Sequence, residues 1–335
     1  MAKRPIDALR DDPIKMEVGA ADDQSPIIEM FEIAGVLHII KGKGIYQMLL
    51  ADDVDPKRTN PLVPNTHQRV LAYGADEPMV WQTLLTARRL FKSQLLGSKF
   101  EYQRALDLTF EALKDVVAMH QMRLALAAEL NGIISSLAER NTKNRGMSIP
   151  AVADVRVKAE TFLQKADHAI ADLFEIAKLF YPNEIGQRWF ESLLEVAKSK
   201  HGPDSELAKF LTVAIPFLKT IRNARNCIEH PKADQRIEVH NITLLPTLEL
   251  RPPAIEIHHP NTPQPMMALD NFMMQVVEQI VGIFELMLSL LCSSNIKPFG
   301  VFEVQVVQYP PELQKAFRVR YGYGVYHGDS VVPFD

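Results

Sequence analysis

Residues 210–231 read FLTVAIPFLKTIRNARNCIEHP, and the periodicity of this stretch decides how the rest of the chain is read. Phe210, Ala214, Phe217, Ile221, Ala224 and Ile228 recur three and four apart, the spacing that lines up side chains on one face of an α-helix. Asp204 or Ser205 stands just ahead as an N-cap, because its side-chain oxygen can accept from a free amide of the first turn. His230-Pro231 closes the helix, since a residue before proline avoids the α region. Pro216 lies inside the run. An interior proline costs about 3 kcal/mol, so a kink or a split is expected there.

Long helical patterns lie on both sides of this stretch. Tyr102 to about Glu139 places Leu106, Phe110, Leu113, Val117, His120, Leu124 and Ala127 on one face. Val152 to Tyr181 does the same with Phe162, Ala166, Ile170, Leu173 and Ala177. Met266 to Ser293 is apolar except for a narrow stripe of Asn271, Gln275, Glu278, Glu285 and Ser289, which predicts a helix central to the core. Shorter helices are expected over Pro26 to Ile40, Met79 to Phe100 and Glu184 to Lys200. Lys41 to Pro64 and Asn141 to Pro150 read as connections. Arg236 to His259 changes to β-branched alternation in Ile237, Val239, Ile242, Ile255 and Ile257, the mark of a β-hairpin. Val301 to Tyr309 and Phe317 to Tyr326 read as two further strands. The expected fold is therefore mainly α: an antiparallel helical bundle over 101–295 with a small β-hairpin inserted at about 236–259. An N-terminal helical extension over 1–100 precedes it, and a C-terminal β-hairpin tail over 296–335 follows.

The 335 residues are 47% hydrophobic, with a formal net charge of −4. That is length enough to bury a substantial core, and it excludes a global basic field that would draw in nucleic acid. Two cysteines, Cys227 and Cys292, are too few for a disulfide framework. The first residues hold no apolar leader. Val276 to Cys292, the most apolar stretch, carries Glu278 and Glu285 and is too short for a bilayer span, so it reads as a buried helix. A cytoplasmic protein with no membrane contact is expected. No phosphate loop, dinucleotide fingerprint, nucleophile elbow or paired-cysteine zinc signature is present, and no cofactor is expected.

Metal sites are not expected either. His258 and His259 are neighbours on a strand, point to opposite faces and so chelate poorly. Asp52, Asp53 and Asp55 read as a solvated turn, and His120 reads as a core histidine. Tyr321-Gly322-Tyr323-Gly324 reads as an exposed strand with bulges.

Reactive groups concentrate at the end of the motif helix. Lys219, Arg222, Arg225, Lys232 and Arg236 outnumber Glu229 and Asp234, giving an acidic protein a local positive patch. At about 100° per residue, Arg222 and Asn226 lie within about 40° of each other, and His230 continues that stripe. Arg225 falls beside the apolar seam, near Ile221 and Ile228. A partly desolvated arginine needs an anionic partner, either a carboxylate of another helix or a phosphate. A histidine titrating near neutrality can take the proton of a 2′-hydroxyl or give one to a leaving oxygen. An arginine fork can hold the phosphate between them.

Arg225-Asn226-Cys227-Ile228-Glu229-His230 resembles the motif of the HEPN superfamily, an arginine, usually a polar residue, and a histidine a few residues on. The resemblance covers roughly Tyr102 to Asn295. It implies a homodimer whose two motifs face each other across a cleft, and metal-independent endoribonuclease activity on single-stranded RNA or tRNA. It also implies work as a toxin or antiviral defence effector, alongside an antitoxin or another defence partner. Catalysis would fall on Arg225 and His230, with Asn226 as polar companion and Arg222, Lys219 and Lys232 as further RNA contacts. The alternative is a non-catalytic helical interaction protein that keeps the motif as a structural element.

Overall fold

The run Ile27-Ile28-Glu29-Met30-Phe31-Glu32-Ile33, expected to be helical, is instead a strand. A computed structural model describes residues 4–12, 17–19, 22–137, 148–186, 188–300, 303–327 and 330–334. In it, β1 (Ile27–Ile33) and β2 (Val36–Lys41) pair antiparallel. The turn between them decides the outcome. Ala34 and Gly35 both take positive φ, 50° and 77°, the two-residue turn whose twist matches a hairpin. The chain continues as a meander through β3 (Ile45–Leu49) and β4 (Thr66–Leu71), in the order β1-β2-β3-β4. This sheet overturns the helical extension expected over 1–100. Short helices α1 (Pro5–Asp11) and α2 (Ala51–Val54) flank it.

A helical segment follows, made of α3 (Pro78–Val80), a π-helical turn over Trp81–Leu85, and α4 (Thr86–Leu90). It stops ten residues short of the expected Phe100, where a separate turn, α5 (Ser93–Leu96), begins. The long helices are α6 (Tyr102–Leu137), α7 (Val155–Phe180), α9 (Glu206–Glu229) and α10 (Leu269–Ser294), with the shorter α8 (Phe190–His201) between them. Residues 141–147 of the predicted connection lie outside the described residues. In α7, Phe162, Ala166, Ile170, Leu173 and Ala177 are all buried, as their spacing predicts. α10 packs on α6, α7 and α9. It is the one described helix long and apolar enough to cross a membrane, and 61% of its apolar window is buried inside the molecule.

The segment between α9 and α10 is larger than a hairpin. β5 (Arg236–His240), β8 (Ala254–His258) and β9 (Gln264–Ala268) form a three-stranded antiparallel sheet, and β6 (Thr243–Leu244) and β7 (Leu250–Arg251) pair beside it. At the C-terminal end, β10 (Gln305–Gln308), β11 (Tyr321–His327) and β12 (Ser330–Pro333) form a three-stranded antiparallel sheet, with α11 (Pro311–Phe317) between β10 and β11, where a two-stranded hairpin was expected. Val301 and Phe302 of the first predicted strand lie outside the described residues. Tyr321-Gly322-Tyr323-Gly324 is not an exposed strand: Tyr323 is buried, and its hydroxyl donates to the Leu90 carbonyl at 2.7 Å. Gly322 is required because a Cβ there would overlap the Tyr309 ring.

The mainly-α expectation is thus corrected to a mixed class, about 51% helix and 19% strand in four separate antiparallel sheets. The physical reason is that Val, Ile and Phe at short spacings satisfy a strand as readily as a helix, and only the turns between them discriminate. Glu285 is a second correction. Placed on the polar stripe of α10 by its spacing, it is fully buried. Arg320 donates to it through Nε at 3.0 Å, and Gln82 through Nε2 at 3.0 Å.

Candidate site at the end of α9

Ser205 caps α9 by accepting from the Ala208 amide. Of the expected kink or split at Pro216 the split does not occur: the helix runs unbroken through it, because Leu207, Leu211, Ala214, Ile215, Leu218, Ile221 and Ala224 are all buried along it. At about 1.5–3 kcal/mol for each large aliphatic side chain, that packing outweighs one lost hydrogen bond. The helix ends at Glu229. His230 takes φ −133° and ψ 61°, and its amide still donates to the Asn226 carbonyl.

The side chains of the motif divide between two neighbours. Towards α7 and α8, Arg225 is half-buried. Its Nη1 lies 2.7 Å from Glu229 Oε2 and donates to Asn226 Oδ1 at 3.4 Å, and its Nε lies 3.7 Å from Asp167 Oδ2. The anionic partners open at the sequence level are therefore carboxylates within the chain. Burial pushes the Asp167 carboxyl up, and Arg225 and Arg222 oppose that rise. Nη2 of Arg225 makes no hydrogen bond among the described residues. Lys219 pairs with Glu191 of α8. Arg222 is exposed and lies 4.6 Å over the Trp189 ring, a cation on an aromatic face. Trp189 itself holds φ 58°, a backbone cost of about 1–3 kcal/mol for a bulky residue. Phe174 and Phe190 pack against its ring.

Towards the β5–β8–β9 sheet, Asn223 donates to Thr262 Oγ1 at 3.0 Å, and Thr262 contacts His259 Nδ1 at 3.1 Å. The Cys227 thiol donates to the His258 carbonyl at 3.8 Å. Cys227 and Cys292 are both buried and free, and burial raises both thiols. Neither is placed as a nucleophile.

The structure brings Arg225 together with Asn226 and Arg222 with Trp189, on the side of α9 that faces α7 and α8. His230 is exposed where the chain leaves the helix, and Lys232 is exposed in the turn beyond, where its amide donates to the Gln235 carbonyl at 2.8 Å. Asn226 makes no side-chain hydrogen bond to the His230 ring among the described residues. Its side chain is taken up by Arg225.

Sequence reasoning missed Asp167 and Trp189, which reach the site from other elements. The buried flank of Asp167 carried a signal, since its neighbours Ala166, Ala169 and Ile170 lie on the apolar face of α7. Of the residues set aside, Asp52 is held by Arg58 at 2.6 Å, and Asp55 accepts from the Thr59 and Asn60 amides. His120 is half-buried and meets the Tyr73 ring edge-on. No protein-family model, curated protein or solved structure matches the chain.

Proposed function

We propose that the chain is a metal-independent endoribonuclease of the cytoplasm, working at the end of α9 with Arg225 and His230 as its reacting pair. The observation that carries this reading is the state of Arg225. Glu229, Asp167 and Asn226 surround its guanidinium, while Nη2 makes no hydrogen bond among the described residues. An arginine fixed in this way can meet a phosphate oxygen with little loss of side-chain freedom. An exposed imidazole stands one helical turn further on. The resemblance of Arg225 to His230 to the HEPN motif points the same way.

In the reaction, the RNA 2′-hydroxyl loses its proton to an imidazole nitrogen and its oxygen attacks the adjacent phosphorus. The P–O5′ bond breaks, and the 5′ oxygen takes up a proton. The products are a 2′,3′-cyclic phosphate and a 5′-hydroxyl. Charge that builds on the non-bridging oxygens falls to Arg225. Two proton transfers need two groups, and each chain offers one histidine at this point. A homodimer supplies the second. Trp189 and Arg222 offer a flat cationic surface on which an unpaired base can stack. A toxin or defence role follows from the resemblance alone.

A second reading has its own support. The pairing of Lys219 with Glu191 and of Arg225 with Glu229 and Asp167 removes much of the positive patch, as a structural interaction protein would require. The discriminating experiment incubates the purified chain with end-labelled single-stranded RNA and tRNA in EDTA, beside His230→Ala and Arg225→Ala. Cleavage by the parent alone, with both variants folded by circular dichroism, supports the nuclease. Equal cleavage by all three, or none by any with a dimer present, moves the conclusion to the interaction protein.

A further inference from the structure

Two quartets face each other across the sheet that follows α9: Ile237-Glu238-Val239-His240 on β5 and Ile255-Glu256-Ile257-His258 on β8. The register pairs Glu238 with Glu256, Arg236 with His258 and His240 with Ala254. Ile237, Ile255 and Ile257 are buried on the core side. Alternation therefore puts both glutamates and both histidines on the outer face. Like charges directly opposite each other on a ladder are destabilising. Nothing in the packing of the core face demands this pair.

Three of the four share one point, and His258 stands against both glutamates beside it. One ligand atom from each of Glu238, His240 and Glu256 can be chosen so that all lie within 4.8 Å of one another. His258 Nε2 lies 3.4 Å from Glu238 Oε1 and 3.7 Å from Glu256 Oε1, and His240 Nε2 lies 3.8 Å from Glu238 Oε2. These separations are too long for charge-assisted hydrogen bonds, which run at about 2.7–2.9 Å. They do approach the edge of a tetrahedron, about 3.3 Å, when ligands stand about 2.0–2.1 Å from a central ion. Both Nε2 atoms are buried, and neither has a hydrogen-bond partner among the described residues. Two buried imidazole nitrogens aimed at two carboxylates, without bonding them, leave a position between.

We propose that this outer face of β5 and β8 binds a divalent transition metal of the zinc type, with Glu238, His240, Glu256 and His258 as ligands. Imidazole with carboxylate suits zinc, whereas calcium and magnesium favour oxygen alone. Arg236 donates to Glu238 Oε1 at 2.9 Å and acts as the outer-shell group that fixes this ligand. The site is structural. It ties together two five-residue strands, and β8 accepts the Cys227 thiol of α9 through the His258 carbonyl, so the metal steadies the wall beside the motif. The proposal does not depend on the nuclease reading.

The test uses the tag-free full chain, stripped with EDTA and titrated with zinc chloride in a calorimeter. One zinc per chain is expected, with a higher thermal midpoint in its presence. Losing an outer-shell partner costs metal affinity about 10–100-fold, so losing a ligand in His240→Ala or His258→Ala should cost at least about 100-fold. Both side chains are 31% exposed, and circular dichroism checks that the variants fold. His230→Ala and His259→Ala should bind zinc like the parent. Cobalt(II) in place of zinc should give the intense visible bands of a four-coordinate ion. No stoichiometric zinc uptake by the parent would overturn the proposal. So would uptake that survives His240→Ala and His258→Ala, or uptake lost in His259→Ala.

Discussion

Replacing Asp172 by asparagine should stabilise the protein at pH 8 and do almost nothing at pH 4. Asp172 lies half-buried on α7. Burial first, and then repulsion from Asp115 and Glu111 of α6, push its carboxyl from the ordinary 3.8 up to about 6. Between those values the native chain holds a proton that the unfolded chain has released. The unfolded state then binds fewer protons, so stability falls as pH rises through that window. At about 1.4 kcal/mol per tenfold change in proton affinity, the full penalty above pH 6 is about 3 kcal/mol. Asparagine carries no charge and removes the penalty. It also sacrifices no bond, since Asp172 makes no side-chain hydrogen bond or ion pair among the described residues. With an unfolding entropy of about 2.1 cal/mol/K per residue over this chain length, 3 kcal/mol is about 4 °C in thermal midpoint. Scanning calorimetry at pH 8 and pH 4 on parent and Asp172→Asn measures both ends. A carboxyl resonance titrating near pH 6 in the parent gives the direct check. Equal gains at the two pH values, or no gain at pH 8, would refute the reasoning.

Two further substitutions test other parts of the structure. Arg320→Ala leaves the fully buried Glu285 with Gln82 as its one side-chain donor among the described residues. Stripping the partner from a buried charge costs about 3–5 kcal/mol, and the half-exposed arginine puts the expected loss near about 3, read as a drop in the urea midpoint. The double variant Arg320→Leu with Glu285→Leu should recover most of it, and a double variant as unstable as the single would show that the carboxylate is not the cause. Trp189→Ala removes the stacking surface beside Arg222 and should weaken single-stranded RNA binding by about 1–3 kcal/mol in fluorescence anisotropy. Lys219→Ala, which only frees Glu191, should leave it within about twofold. Equal effects from the two would count against a stacking role for Trp189.

What the sequence disclosed follows from the range of its signals. Helices α6, α7, α9 and α10 each repeat an apolar stripe over many turns, so Leu106 to Val117 and Phe162 to Ala177 could be read without a structure. The N-terminal sheet could not be read in this way. Ile27 to Ile40 carries enough apolar residues for a helix, and its strand character rests on two positive-φ residues at Ala34 and Gly35. Spacing misplaces Glu285 because its partner Arg320 lies 35 residues away, just ahead of β11. The motif residues were legible as a local cluster, but their partners were not. Asp167 is 58 residues from Arg225, and Trp189 is 33 from Arg222. The two Ile-Glu-x-His quartets were present in the sequence all along. They acquire meaning only in the antiparallel register, which sets Glu238 opposite Glu256 and sends His240 and His258 to the two diagonals.

The same register changes how the charge around α9 is counted. Along the chain, Lys219, Arg222, Arg225, Lys232 and Arg236 form a patch facing two acids. In space, Glu191, Glu229 with Asp167, and Glu238 each take one of these cations, leaving Arg222 on Trp189 and Lys232 in its turn. Those two charges and the free edge of Arg225 are all that one chain offers a phosphate backbone here. Non-specific RNA affinity grows with the number of phosphates neutralised, so a single copy is a poor RNA-binding surface, whatever its histidine can do. A second copy doubles the cations and brings a second imidazole to the site. The electrostatic and the chemical arguments both favour the dimer that the nuclease proposal invokes. A chain that stays monomeric at working concentrations would leave Arg225 what its partners already make it, a half-buried ion-paired arginine between α9 and α7.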